Sequence, residues 1–212
     1  MEQFGYPGII DIYYKNNVPE KSPTLLKDAG IIAIIHKATE ATDFKDPEYH
    51  IRKKLFKEEN GFLWGSYHLT SNQDVLEQVE HYLSYAKPEN DELIAFDFER
   101  SKYHGTMKLD DLVECVDLIE STLHRVPVVY GGRALRSALK GITESPLSRC
   151  PLWYARYRDQ PIGVPKIWKA PRIWQYSNGA DGPEPKEITG FGRPDRGAFN
   201  GSKSELRAAW PL

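Results

Sequence analysis

Apolar residues along the first two thirds of the chain follow two alternating patterns. Short continuous apolar runs are typical of strands buried on both faces, and apolar positions three and four residues apart are typical of amphipathic helices. Strand patterns lie at residues 8–14, 31–40, 62–69, 93–98 and 126–130. Helical patterns lie at residues 47–60, 74–86, 109–123 and 133–140. The chain is therefore predicted to alternate strands and helices.

The pattern changes after residue 141, because the later segments are rich in Pro and Gly and lose helical periodicity. Further strands are predicted at 152–157, 173–177 and 195–199, with a short helical tail at 202–209. Strand–helix units followed by strands with little helix predict one α/β domain, a TIM-like barrel over residues 1–212. An open doubly wound sheet is the alternative, although no Gly-rich phosphate loop follows any predicted strand.

Composition and charge exclude several classes of protein. The chain has 28 Lys and Arg against 30 Asp and Glu, so it offers no basic stripe for nucleic acid. No apolar run approaches the ~18 residues of a membrane span. Cys115 and Cys150 are too few for a disulfide framework and form no C-x-x-C pair. We expect a monomer that binds neither nucleic acid nor a membrane.

The fourth predicted strand ends in two acids, Asp97 and Glu99. Side chains alternate along a strand, so both carboxylates share a face with Ala95, and their Cα atoms lie about 7 Å apart. Burying an isolated charge is costly unless the group is paired, hydrogen-bonded or used. The plainer interpretation is a strand that runs out into solvent, with Glu99 paired to Arg100 or Lys102.

Polar side chains also follow the other predicted strands. In a parallel barrel the carboxyl ends of the strands converge on one face, where such barrels carry their active sites. The residues that share this position are Asp11, Lys37, Glu40, His68, Asp97, Glu99, Tyr130, Tyr157 and Gln175. Each has an ordinary structural explanation, such as an ion pair between Lys37 and Glu40, but their shared position favours one polar site.

Clustered acids suit two chemistries. Glycoside hydrolysis uses a protonated carboxyl group at the leaving oxygen and a carboxylate that supports the oxocarbenium-like transition state. Metal-assisted hydrolysis uses Asp, Glu and His as ligands, but no H-x-H, H-x-D or H-E-x-x-H pair is present. A nucleophilic triad is disfavoured because there is no G-x-S-x-G. We expect neither a metal nor another cofactor.

Several segments together match the order of motifs in one enzyme family. In chain order they are Gly8–Asp11, Lys37–Glu40 with Asp46-Pro47, Gly65–His68, Asp97–Glu99, Leu152–Tyr157, Trp174–Ser177, and Asp195 shortly before Phe199–Gly201. In these segments the chain resembles the muramidases of glycoside hydrolase family 25, the bacterial and phage-type lysozymes that cut peptidoglycan. The resemblance implies a flattened barrel of eight strands with about five helices. It also implies cleavage of the β-1,4 bond between N-acetylmuramic acid and N-acetylglucosamine in peptidoglycan glycan strands.

The resemblance further implies a catalytic cluster of Asp11, Asp97, Glu99 and Asp195. Glu99 would be the general acid, and Asp97 would assist the substrate N-acetyl group, which acts in this family as an internal nucleophile. Asp11 and Asp195 would hold the network and its charge balance. Neighbouring carboxylates raise the pKa of one of them, so that it can carry a proton near neutral pH. The other expected substrate contacts are Lys37, Glu40, Tyr67, His68, Tyr130, Trp153, Tyr154, Tyr157, Trp174 and Gln175.

Two departures from the family pattern affect the predicted sugar subsites. Residues 12–17 replace the usual Ser and later Gln-Gly after the first acid, and Asp195-Arg196-Gly197 replaces the favoured Asp-x-Asn. The alternative function is therefore a non-catalytic peptidoglycan-binding barrel that kept the fold and lost turnover. We expect no separate wall-binding domain.

The first strand pattern begins a few residues after Met1, so we expect no signal peptide ahead of it. We therefore expect a protein made in the cytoplasm and released or delivered to the cell wall or periplasm by phage lysis or a secretion system. A natural leader ahead of Met1 is the alternative.

Overall fold

Nine strands pair into one continuous sheet within residues 4–212, which are the residues that the computed structural model describes. The strands are β1 (Tyr6–Ile12), β2 (Ala33–Glu40), β3 (Phe44–Lys45), β4 (Leu63–Leu69), β5 (Leu93–Asp97), β6 (Val128–Gly131), β7 (Leu152–Ala155), β8 (Ile173–Ser177) and β9 (Asp195–Phe199). The order is β1-β9-β8-β7-β6-β5-β4-β2, and β1 pairs again with β2 to close an eight-stranded barrel. The two-residue β3 is not one of the eight barrel strands. It pairs with the last two residues of β2, past the part of β2 that pairs with β1. The predicted α/β barrel is confirmed.

Six α-helices lie in the described part of the chain, one more than the resemblance implied. They are α1 (Ser22–Asp28), α2 (Tyr49–Lys53), α3 (Val75–Ala86), α4 (Leu109–Leu123), α5 (Arg133–Ala138) and α6 (Lys203–Ala209). α2 continues as a π-helical turn over Lys54–Glu58, and a 3₁₀ turn covers Pro146–Arg149. None of the described helices is long and apolar enough to cross a bilayer. The chain start at residues 1–3, on which the signal-peptide prediction rests, lies outside the described residues.

Strand direction changes once around the barrel. Among the barrel strands, the neighbouring pairs formed by β1, β2 and β4 to β8 are all parallel, but β9 runs antiparallel to both β8 and β1. The first residue of β9, Asp195, therefore pairs in register with Asp11 near the carboxyl end of β1. The reversal brings the amino end of β9 to the barrel face where the parallel strands end.

Alternation along the strands produces two apolar layers. Ile94, Phe96 and Phe98 belong to the outer layer between the barrel and the helices, and Ala95 belongs to the layer inside the barrel. This is the facing that the sequence predicts for β5. Leu206 of α6 joins the inner layer, so α6 closes the end of the barrel at which β9 finishes. The polar cavity described below lies at the opposite end of the barrel, where the parallel strands finish.

Candidate active site

A small polar cavity of about 110 Å³ opens where the parallel strands end. Its walls are formed by Asp11, Tyr67, Asp97, Glu99, Tyr130, Trp153 and Asp195. Asp11 lies near the end of β1, Asp97 is the last residue of β5, Glu99 follows two residues later, and Asp195 begins β9. The structure thus brings the four predicted catalytic acids into one cavity.

Gln175, on the inner face of β8, holds two of these acids. Its Nε2 donates hydrogen bonds to Oδ2 of Asp11 and to Oδ2 of Asp195, both at 2.9 Å. Its Oε1 accepts hydrogen bonds from the hydroxyl groups of Tyr130, at 2.8 Å, and Tyr157, at 3.1 Å. Only 1% of Gln175 is exposed, so its amide is fully committed within the protein. Gln175 was predicted to contact substrate, and the structure places it behind the acids as their positioning residue.

Asp97 is the buried member of the cluster, with 7% of its surface exposed. Its backbone is fixed because the N–H and hydroxyl of Thr70 both donate to the Asp97 carbonyl, at 3.1 and 2.8 Å. Burial raises the pKa of Asp97 well above its usual range, and the Glu99 carboxylate raises it further. Oδ1 of Asp97 is buried and has no hydrogen-bond partner among residues 4–212. Such an atom at a cavity wall is ready to accept a hydrogen bond from a ligand.

Glu99 is half-buried, and burial raises the pKa of its carboxyl group. No salt bridge in the described part of the chain joins it to Arg100 or Lys102, which argues against the interpretation of a simple solvent-exposed strand end. Gly132 packs alongside, and a methyl group at that position would lie 3.6 Å from Oε1 of Glu99. An added methyl group would therefore touch this carboxyl group without a clash, and its tight contacts, at 3.2 Å, would be with Ala155.

The other two acids also favour protonation. Burial raises the pKa of Asp11 well above its usual range, and the charge of Asp195 adds to this effect. Burial and the charge of Glu99 raise the pKa of Asp195 to about 7. Four carboxyl groups in one enclosed cavity cannot all be ionised near neutral pH, because each added negative charge disfavours the next. The cavity can therefore hold a proton for general acid catalysis.

Aromatic rings form the rest of the cavity wall. Tyr130 and Trp153 meet edge to face with ring centroids 4.5 Å apart. The rings of Tyr67 and Trp153 also meet edge to face, with centroids 6.3 Å apart. Nε1 of Trp153 is buried and, within the described residues, has no hydrogen-bond acceptor. These three predicted substrate contacts lie in the cavity, and they combine flat apolar surface with a free donor, a combination suited to sugar rings.

A wider groove of about 550 Å³, which we call the aromatic groove, lies over the ends of β1, β2 and β4. It contains the predicted contacts Lys37 and Glu40, which are ion-paired, and Ser101 donates a hydrogen bond to Glu40 at 2.8 Å. Lys37 is close enough to Asp97 for its charge to oppose the rise in the pKa of Asp97. The aromatic side chains along the groove are Tyr13, Tyr14, Phe44 and Tyr103.

Sequence reasoning missed these aromatic residues as candidate contacts. Tyr13 and Tyr14 are each 37% exposed and Tyr103 is 76% exposed. Tyr13 and Tyr14 directly follow β1 next to Asp11, so their position at a strand end was the available signal. In the sequence they belong to the strand predicted at 8–14 and to the segment that departs from the family pattern.

A second groove of about 520 Å³ lies over the ends of β6 and β7 and shares Glu99 with the cavity. The predicted contact Tyr157 lines this groove, although its hydroxyl group is committed to Gln175. Burial, together with the charge of Asp195, raises the pKa of Tyr157. Tyr157 therefore lines the groove as a neutral phenol.

His68 does not belong to the cavity. It is fully buried on the outer face of β4, where Nδ1 lies 2.8 Å from Oγ1 of Thr39 and Nε2 lies 3.4 Å from Oε1 of Gln78. Burial lowers the pKa of His68 to about 3, so the ring is neutral. The structure corrects the expectation that His68 contacts substrate, because strand alternation turns its side chain toward α3.

Tyr154 and Trp174 also point outward from their strands. The Tyr154 hydroxyl donates to the carbonyl groups of Ile162 and Gly163, at 3.1 and 2.9 Å, beneath the outer apolar layer. Trp174 packs edge to face against Phe4, with ring centroids 5.3 Å apart. Neither ring lines the cavity or the two grooves, so the structure does not support their predicted sugar contacts.

The geometry agrees with comparisons to known proteins. The sequence model of the family described as Glycosyl hydrolases family 25 matches residues 10–184. Comparison with curated protein sequences gives no match.

Several solved structures share the fold over nearly the whole chain. A muramidase from Acremonium alcalophilum is 25% identical with a TM-score of 0.78, covering 96% of this chain and 97% of its own. A bacterial lysozyme from Streptomyces coelicolor is 21% identical with a TM-score of 0.79, covering 98% and 97%. A family GH25 lysozyme from Aspergillus fumigatus is 23% identical with a TM-score of 0.75, covering 94% and 96%. The predicted resemblance is confirmed, and since the family model spans most of its length, this chain belongs to the glycosyl hydrolases of family 25.

Proposed function

We propose that this enzyme is an N-acetylmuramidase that hydrolyses the β-1,4 bond between N-acetylmuramic acid and N-acetylglucosamine in peptidoglycan. The observation that carries the proposal is the cavity in which four carboxyl groups with raised pKa values meet. The similar solved structures are a muramidase and two lysozymes, which supports the same substrate. Every proposed catalytic side chain comes from one barrel, in keeping with a single catalytic domain over residues 1–212.

Glu99 is the proposed general acid. Its half-buried carboxyl group reaches both the cavity and the groove beside it, where the glycosidic oxygen of an extended glycan can approach. Proton transfer from Glu99 to that oxygen accompanies cleavage of its bond to the anomeric carbon. The resulting carboxylate then removes a proton from the water that completes hydrolysis.

Asp97 is the proposed partner of the substrate acetamido group. Its unpartnered Oδ1 is placed to accept a hydrogen bond from the acetamido N–H, which turns the acetamido oxygen toward the anomeric carbon. That oxygen forms the bond that replaces the broken glycosidic bond until water attacks. The raised pKa of Asp97 favours its protonated form before substrate binds. Positive charge that develops on the bound sugar favours ionisation, so the carboxylate of Asp97 stabilises the transition state in this enclosed cavity.

Turnover of purified walls tests the proposal. We expect the wild-type protein to release new reducing ends from peptidoglycan, and borohydride reduction of the products to yield N-acetylmuramitol. N-acetylglucosaminitol in its place would identify a glucosaminidase, and the absence of new reducing ends would support the non-catalytic alternative. Metal-assisted hydrolysis predicts loss of activity with a chelator, whereas the muramidase mechanism predicts none.

Gln175→Met is expected to lower kcat by about tenfold or more while changing KM little. Methionine fills a similar space but removes the two hydrogen bonds to Asp11 and Asp195. Those hydrogen bonds lower the pKa values of both acids. Their loss should therefore move the acidic limb of the kcat–pH profile to higher pH.

The control for this change is Tyr157→Phe, which removes one of the two hydrogen bonds to Oε1 of Gln175 and leaves the carboxyl contacts intact. It should keep the pH profile of the wild type. A Gln175→Met enzyme with an unshifted profile would show that the amide only fills space.

A further inference from the structure

Four arginine side chains line the groove over β6 and β7, which we call the arginine groove. Arg133 and Arg136 come from α5, and Arg156 and Arg158 follow β7. The groove begins at the proposed catalytic acid, since Glu99 lines both the groove and the cavity. Two segments far apart in sequence thus bring four guanidinium groups into one groove, which starts at Glu99.

These four guanidinium groups have no carboxylate partner in the described structure, although several other cations of the protein do. No salt bridge within residues 4–212 involves any of the four, whereas Arg149 pairs with both Asp117 and Glu120. Arg136 and Arg156 are half-buried, and their Nε atoms are buried without a hydrogen-bond acceptor among the described residues. A half-buried cation costs free energy unless an anion compensates it.

Acids inside the arginine groove do not supply that compensation. Glu99 and Asp181 line it, but neither carboxylate lies within 4.0 Å of an arginine nitrogen in the described structure. The aromatic groove differs in part, because there Lys37 is paired with Glu40 and Lys102 lies over the ring of Tyr103 at 5.0 Å, although Arg100 forms no salt bridge in the described structure. The arginine groove therefore carries uncompensated positive charge beside the cavity, concentrated in four guanidinium groups.

We propose that the arginine groove binds oxyanion groups, carboxylate or phosphate, that project from the wall polymer while its glycan strand lies at Glu99. This inference rests on the proposed function and adds a recognition site to it. The planar guanidinium group donates two parallel hydrogen bonds to a carboxylate or phosphate, which a neutral sugar cannot accept in the same way. Peptidoglycan carries free carboxylates on the peptides attached to muramic acid, and phosphodiester polymers are a second source of oxyanions in bacterial walls.

The test removes two charges from the exposed rim of the groove with the double variant Arg133→Gln/Arg158→Gln. Both side chains are exposed, so the fold should tolerate the change. The matched control is Lys87→Gln/Arg207→Gln, which removes the same charge from exposed positions following α3 and on α6. Three substrates are compared: whole walls, walls extracted with hydrofluoric acid to remove phosphodiester polymers, and extracted walls whose carboxylates are amidated with a carbodiimide.

On extracted walls we expect the Arg133→Gln/Arg158→Gln variant to raise KM about five- to tenfold with kcat within about twofold of wild type. On amidated walls the difference should disappear, and the control variant should match wild type on every substrate. If the double variant has a higher KM than the wild type on whole walls only, the groove binds phosphate instead of carboxylate. A difference that persists on amidated extracted walls, or an equal loss in the control, overturns the proposal.

Co-sedimentation with walls separates this inference from the proposed function, because it measures binding without turnover. If the protein binds walls in an arginine-dependent way but releases no reducing ends, the proposed oxyanion binding is supported and the proposed muramidase activity is rejected. Equal binding and equal KM for the wild type and the double variant, with normal turnover, would reject the groove alone.

Discussion

Glu99→Gln is expected to lower the release of reducing ends from peptidoglycan by about 10²- to 10⁴-fold, the usual value of general acid catalysis. Glutamine has nearly the same shape, so it should fit the half-buried position beside Gly132 without disturbing the cavity. It cannot donate a proton of suitable acidity to a leaving oxygen. Wall binding measured by co-sedimentation should therefore remain close to wild type while turnover nearly disappears.

Asp97→Asn is the informative comparison for that result. Asparagine keeps the size of the side chain but removes the negative charge, so we expect a large loss of kcat with substrate binding mostly retained. Glu144→Gln is the control, since Glu144 is exposed and lies in none of the cavity or groove linings described above. Full activity in both Glu99→Gln and Asp97→Asn would remove the two acids from the mechanism.

Much of the fold could be predicted because its elements carry local signals. The 109–123 helix has the predicted bounds, since its buried residues Leu112, Cys115, Val116 and Ile119 recur at helical spacing against acidic neighbours. The strands at 173–177 and 195–199 also match, because Pro- and Gly-rich segments delimit them. In β5 the alternation of inner and outer residues was sufficient to assign Ala95 and Phe96 to opposite layers.

Features that depend on pairing between distant segments left no local pattern. The antiparallel direction of β9 follows from its neighbours, and nothing in residues 195–199 indicates it. The same limit explains why His68 was assigned to the site, since a polar residue near a strand end can face either layer. Only the register of β4 beside β2 and the packing of α3 determine that His68 points outward.

In the candidate site, too, some residues carry a local sequence signal and others depend on contacts between distant segments. The acids could be found because carboxylates following apolar runs are unusual, and the family resemblance singled out Asp195. The role of Gln175 could not be predicted, because its four hydrogen-bond partners come from four separate segments. Likewise, Arg133 and Arg156 form one surface only after β6 and β7 pair in the barrel.

Asp195→Asn is expected to raise the melting temperature above pH 7 and to leave it nearly unchanged near pH 4. The pKa of Asp195 is about 7 in the folded protein and about 4 for an unperturbed Asp in the unfolded chain. The folded state therefore binds more protons between these pH values, and folding stability declines as the pH rises through that window. The decline is at most about 1.4 kcal/mol for each pH unit.

Asparagine cannot ionise, so the variant escapes this loss while its Oδ1 still accepts the hydrogen bond from Gln175. Allowing for partial exposure and for coupling to the other acids, we expect a gain of about 1–3 kcal/mol at pH 8, or roughly 2–10 °C. Thermal melting followed by circular dichroism at pH 4 and pH 8 measures it, with the exposed Asp159→Asn as control. An equal gain at both pH values would trace the effect to packing. A gain confined to pH 8 would show that the enzyme tolerates an unfavourable buried charge at this position, as expected for a site selected for its chemistry at the expense of stability.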